Sequence, residues 1–141
     1  MSTSFDRPYI DVVYKLSGKV ENRVFVPAMK LSKGKITLPG KKQLFRLKDT
    51  EGNYAKDVIG LSNEKVDGEP ILAKAMENGS IVFRLPSLEE IRENALRNLS
   101  QLPSMYKKLR NAPLYPVELS FQLRKIKEAL TDQLRCRECL P

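Results

Sequence analysis

Asn78-Gly79-Ser80-Ile81-Val82-Phe83-Arg84-Leu85-Pro86-Ser87-Leu88-Glu89-Glu90-Ile91-Arg92 is the stretch where the character of the chain changes. On its left, Asn78-Gly79 separates Ile71–Met76 from Ser80–Leu85. Both turn residues tolerate positive φ, so the pattern reads as a hairpin. On its right, Ser87-Leu88-Glu89-Glu90 has the spacing of a capping box. The Ser87 hydroxyl is placed to accept from the N–H three residues on, and Glu90 to accept from the N–H of Ser87. Behind the box, Leu88, Ile91, Ala95, Leu96, Leu99 and Leu102 recur at helical spacing until Pro103.

Upstream the pattern is that of strands. Ile10–Leu16 is rich in β-branched and aromatic residues and is broken by Ser17-Gly18-Lys19; Arg23–Val26 is stopped by Pro27. Lys35–Leu38 ends at Pro39-Gly40, and Leu44–Lys48 alternates apolar with basic residues. Asp49–Asn53 is turn chemistry, and Tyr54–Leu61 returns as the partner strand. Downstream, a short helical turn is expected near Met105–Leu109 and an extended connector through Asn111–Pro116. Ser120 then caps a final helix striped by Leu123, Ile126, Leu130 and Leu134. Six or seven short strands followed by two main helices define an α+β fold. Residues 1–85 are the β-rich segment and 86–141 the helical one, expected together as one compact unit. The sequence holds no internal repeat and no low-complexity segment.

A chain of 141 residues, 41% hydrophobic and 30% charged, suits a soluble globular domain rather than a disordered one. No apolar run approaches the ~20 residues that span a bilayer, and Met1–Arg7 has no signal-peptide pattern. No membrane partner and a cytoplasmic location are the resulting expectations. The chain has no histidine, and GxSxG, GxxxxGK[ST] and HExxH patterns are absent. Composition and motifs therefore name no catalytic residue and no metal site. Cys136 and Cys139 form a CxxC pair at the end of a helical pattern. A structural zinc site needs four ligands, and a redox pair needs a helix start, so two incidental reduced thiols are expected.

Charge is more informative. Of 25 basic and 17 acidic residues, the first 48 positions hold eleven basic and three acidic, so the whole surplus of eight lies in the first third. Such a localised excess points to a polyanion, whether phosphates of a small ligand or a nucleic-acid backbone. Its densest part runs from Met29 to Gln43, with Lys30, Lys33, Lys35, Lys41, Lys42 and two glycines. Glycine lets backbone amides approach an anion, and several ammonium groups can surround phosphate oxygens. The same lysines would also suit an exposed sheet edge protected from pairing. A small basic RNA-binding module is a rival reading. It needs exposed aromatic rings, whereas Phe5, Tyr9, Tyr14, Phe25, Phe45 and Tyr54 mostly sit in apolar strand patterns.

Several motifs in order resemble one family. Val13-Tyr14-Lys15-Leu16, Met29-Lys30-Leu31-Ser32 and Thr37-Leu38-Pro39-Gly40-Lys41-Lys42-Gln43-Leu44-Phe45-Arg46 are similar to segments of nicotinate phosphoribosyltransferases. So are Lys56–Leu61, Gly68–Leu72, Asn78-Gly79, Leu85–Arg92 and Tyr115–Ser120, and the resemblance runs from about Thr3 to Arg135. It implies the carboxy-terminal portion of a type II phosphoribosyltransferase, following an α/β barrel. Such an enzyme joins nicotinate to phosphoribosyl pyrophosphate, giving nicotinate mononucleotide and pyrophosphate with ATP hydrolysis, in NAD biosynthesis. It works as a homodimer, with ATP and Mg as cofactors. The phosphorylated histidine and the ribose-phosphate loop belong to the preceding barrel. The isolated chain is thus expected to be inactive and to bind no cofactor alone, and docking on a separate barrel chain as a non-catalytic subunit is an alternative. Within the chain, Lys30, Lys41 and Lys42, with Ser32 and Gly40, are the residues expected near the phosphate end of a composite site.

Overall fold

The computed structural model describes residues 15–32 and 34–138. Compactness divides the chain into two units, residues 1–41 with 127–141, and residues 42–126.

The first unit opens on an antiparallel hairpin of β1 (Gly18–Glu21) and β2 (Val24–Pro27). Asn22 and Arg23 close it, both in the left-handed region (φ 48° and 65°), the two-residue geometry that matches strand twist. Gly18 begins β1 rather than ending a strand, correcting its reading as a breaker. The Phe25 ring lies directly over it, so a Cβ at position 18 would overlap the ring. A packing requirement had the look of a stop signal. Of the expected strand Ile10–Leu16, residues 10–14 fall outside the described residues, and Lys15 and Leu16 are irregular. Lys35–Leu38 forms no strand either. Thr37 is instead tied to Lys30, whose N–H donates to Thr37 Oγ1 (2.8 Å) while the Thr37 N–H donates to the Lys30 carbonyl (3.1 Å).

The second unit is built on β3 (Lys42–Lys48) and β4 (Tyr54–Leu61), an antiparallel pair with an irregularity between Leu47 and Lys48. The Asp49 carboxylate closes their turn by accepting from the N–H groups of Glu51 (3.0 Å) and Asn53 (2.8 Å). β5 (Glu69–Pro70) flanks β3. β6 (Met76–Glu77) and β7 (Ser80–Ile81) form a separate small hairpin, with Asn78 and Gly79 at φ 48° and 80°. Its strands are far shorter than the apolar runs around them. Ile71, Leu72, Val82 and Phe83 are exposed, although the Ile71 N–H still donates to the Leu44 carbonyl of β3 (2.8 Å) and the Val82 N–H to the Ala75 carbonyl (3.0 Å).

Ser87 and Glu90 form the expected capping box and start α1 (Leu88–Gln101). Pro103 then leads a single 3₁₀ turn, Ser104–Lys107. β8 (Val117–Leu119) follows and pairs in parallel with β4, giving the sheet order β5-β3-β4-β8. α2 (Phe121–Glu138) starts at Ser120, whose Oγ accepts from the Leu123 N–H (3.2 Å). Phe45, Tyr54, Val58 and the fully buried Leu123 are the apolar core of this unit. Gly60 fits among them because a Cβ there would stand 2.9 Å from Glu64 Oε2 and 3.2 Å from the Phe45 ring. Eight short strands and two α-helices in the described residues give the expected α+β class. No helix among them is long and apolar enough to cross a membrane.

Candidate functional site

The lysine-rich segment lies mainly in the first unit. It is held to the β1–β2 hairpin through one acceptor, the Ser17 carbonyl, which receives the N–H groups of Ala28 (3.0 Å) and Gly40 (2.6 Å). Gly40 is buried and has φ 83°, a conformation few side chains adopt, so the turn after Pro39 selects glycine. The loop turns at Ser32, whose carbonyl accepts from the Lys35 N–H (2.9 Å).

The five predicted residues are distributed as follows. Lys30 is exposed and lines two recesses. One, of about 340 Å³, is shared with Lys15, Leu16, Met29 and Thr37. The other, of about 310 Å³, is shared with Ser32, Met29, Leu31 and Leu134. The Ser32 hydroxyl is buried and has no hydrogen-bond partner among the described residues. An orphaned buried hydroxyl costs roughly 1–3 kcal/mol, which an incoming donor or acceptor would recover. Lys41 is exposed with its Nζ 5.2 Å from the centroid of the Phe25 ring, a cation–π contact. Lys42 opens β3 in the second unit and is half-buried, and burial lowers its pKa from the ordinary lysine value. The structure thus brings Lys30 and Ser32 to one recess, while neither recess is lined by Gly40, Lys41 or Lys42.

A second polar cluster, within the second unit, was not singled out from the sequence. Arg46 and Asp57 are cross-strand partners on β3 and β4. The guanidinium donates through Nε to Asp57 Oδ1 (2.9 Å) and through Nη2 to Oδ2 (2.8 Å), a bidentate pair with Asp57 buried. Tyr115 Oη donates to the same Oδ1 (3.3 Å), and the Arg46 guanidinium lies over the Tyr54 ring at 4.5 Å. Tyr54 Oη in turn donates to Asn98 Oδ1 of α1 (2.7 Å). The hydrogen bond to Asp57 is the largest cause raising the Arg46 pKa, so the cation is fixed. Burial, followed by the charge of Asp57, pushes Tyr115 up to about 12. Beside this cluster is a largely apolar cavity of about 350 Å³, lined by Arg46, Tyr54, Tyr115, Ala95, Asn98, Leu99 and Leu102. The sequence signal available was Arg46 in an alternating strand opposite Asp57, legible only once the hairpin register is known.

Among the described residues no group of three or more histidine, cysteine, aspartate or glutamate side chains could hold a metal ion. Cys136 is exposed on the last turns of α2, and Cys139 lies outside the described residues.

A family model described as nicotinate phosphoribosyltransferase C-terminal domain matches residues 65–127. Nicotinate phosphoribosyltransferase pncB2 of Mycobacterium tuberculosis is 33% identical over 122 residues, which cover 82% of this chain and 24% of that protein. The Rattus norvegicus enzyme of the same name is 32% identical, over 95% of this chain and 28% of its own length. The crystal structure of human nicotinic acid phosphoribosyltransferase superposes with a TM-score of 0.63 at 30% identity, covering 67% of this chain and 24% of that one. Fold and sequence together define a domain of the phosphoribosyltransferase class. Within that class the chain belongs to the nicotinate phosphoribosyltransferase family and corresponds to its carboxy-terminal portion. It spans about a quarter of the length of the curated relatives it matches.

Proposed function

We propose that this chain is the carboxy-terminal part of an enzyme that makes nicotinate mononucleotide and pyrophosphate from nicotinate and phosphoribosyl pyrophosphate, coupled to ATP hydrolysis, for NAD biosynthesis. What carries the reading is the agreement of a domain model, full-length relatives and a solved fold on one enzyme name. The barrel portion, the ATP and magnesium site and the nicotinate pocket belong to the remaining polypeptide, and the complete enzyme is a homodimer in the cytoplasm. The role of this chain is electrostatic. Lys30, Lys41 and Lys42, with the Ser32 hydroxyl and the Gly40 turn, meet the phosphates of phosphoribosyl pyrophosphate and the charge that grows on departing pyrophosphate. The recess shared by Lys30 and the unsatisfied Ser32 hydroxyl supports that role.

The RNA-binding alternative is weakened, because two of its stacking candidates, Phe45 and Tyr54, are buried in the core. Docking as a separate subunit on a barrel chain remains the same chemistry with a broken backbone, and co-purification distinguishes it.

Two measurements test the proposal. The chain alone, given nicotinate, phosphoribosyl pyrophosphate and ATP, should form no mononucleotide; formation would overturn the assignment of the reaction to another part. In the complete enzyme, Lys41→Ala with Lys42→Ala should raise KM for phosphoribosyl pyrophosphate about ten- to a hundredfold, the worth of one or two charged hydrogen bonds. An unchanged KM removes these lysines from the phosphate site.

A further inference from the structure

α1 is amphipathic in sequence but buries none of its residues. Leu88 is 80% exposed, Ile91 49%, Leu96 58% and Leu99 52%. With Ala95 and Leu102 they form one stripe, because spacings of three and four residues return to the same helical face. The stripe is fixed in place rather than left to fray. The capping box secures its start, Arg84 adds a bidentate pair to Glu90, and Asn98 is hydrogen-bonded to Tyr54 of the sheet. Its lower end, Ala95, Leu99 and Leu102, runs into the 350 Å³ cavity beside Tyr54 and Tyr115. A row of leucines ending in an apolar recess has the form of a docking surface with an anchor pocket. Large exposed apolar patches of this kind mark interaction sites.

We infer that the α1 stripe and the cavity at its base are the surface on which the remainder of the enzyme packs, with an apolar side chain of that remainder seated in the cavity. This rests on the family reading given above. The occupant follows from length: matched relatives are about four times as long as the aligned part, and the solved human enzyme is covered over only 24% of its chain. A 14-residue helix with its apolar face in water is accounted for when the other three quarters of such an enzyme supply the opposing face.

The test uses the full 141-residue chain and, as probe, the Mycobacterium tuberculosis relative with its own matching carboxy-terminal quarter deleted. The two should form a complex by sedimentation, with backbone amides of Leu88–Gln101 gaining protection from hydrogen exchange. Leu88→Gln with Leu96→Gln should weaken it at least tenfold while leaving the circular dichroism of the chain unchanged, since both side chains face solvent. No complex, or a complex indifferent to the two substitutions, overturns the inference. So does protection of α1 in the chain alone that rises with concentration, because the occupant is then a second copy. A complex that depends on α1 yet forms no mononucleotide leaves this surface standing and removes the proposed activity. Mononucleotide formation indifferent to both leucines does the reverse.

Discussion

The β3–β4 sheet and α1 are patterned by equally plain sequence signals, yet one is satisfied within the chain and the other is not. On the sheet, Phe45, Tyr54 and Val58 are buried with Leu123 of α2, and the charged residue among them, Asp57, has both oxygens bonded. On α1 the leucines face solvent, and Asn98 is hydrogen-bonded to Tyr54 of the sheet. Amphipathic periodicity states that a face will be covered; it does not state that the cover lies in the same polypeptide. A hydrophobic stripe is therefore evidence about helix formation first and about partners second.

The largest break in this comparison comes from truncating one leucine on each side of it. Leu123→Ala removes a side chain with no exposure and should cost about 2–5 kcal/mol in urea unfolding. Leu88→Ala, at 80% exposure, should stay within about 0.5 kcal/mol. Equal costs would show that α1 is buried in solution. Next in size is the ion pair. Asp57→Ala leaves the Arg46 guanidinium without its bidentate partner and should cost about 3 kcal/mol, the low end of the usual range for buried pairs because Arg46 keeps partial contact with solvent. Adding Arg46→Met should return part of that loss, since the desolvated charge is then gone as well. A double variant no more stable than Asp57→Ala contradicts this account.

What could be read in advance were features written in a few adjacent residues. The Asp49–Asn53 turn, the Asn78-Gly79 turn, the Ser87–Glu90 capping box and the Ser120 cap all appear as their local chemistry dictates. What could not be read depends on distant parts of the chain. β8 is three residues between Pro116 and Ser120, and its strand character comes only from lying parallel to Asp57–Ile59 of β4. The Gly18 reading failed because the Phe25 ring above it is a tertiary fact. Lys35–Leu38 has strand-like residues, yet in the described structure it forms no strand, and Thr37 bonds to Lys30 across the loop. For the candidate site, the lysine-rich loop was visible as composition. The recess joining Lys30 to an unsatisfied Ser32 was not, because burial of one hydroxyl leaves no mark in sequence. The Arg46–Asp57–Tyr115 cluster needs both the hairpin register and β8 before its three members meet.

A smaller effect sharpens the helix side of the comparison. Ser87→Ala removes the hydroxyl that accepts from the Glu90 N–H and should cost about 1 kcal/mol of local helix stability. With no apolar burial to hold α1, that loss should appear as faster amide exchange confined to its first turns, while the β3–β4 sheet is unaffected. Loss of protection in both regions would mean that they unfold as one unit.

The sheet side makes a prediction in pH. Tyr115 is raised from the ordinary 10.0 to about 12, by burial first and then by the neighbouring Asp57 charge. A raised pKa means the folded chain holds the phenolic proton more tightly than the unfolded one does. Its contribution is therefore whole below pH 10 and drains away as pH rises through about 12. Tyr115→Phe lacks the hydroxyl, so it should be less stable near neutrality, having lost the bond to Asp57, but should decline less steeply between those two pH values. Urea midpoints of both proteins across that window decide the matter. Parallel declines would mean that the Tyr115 hydroxyl titrates alike in folded and unfolded chains, and that its bond to Asp57 is not held in solution.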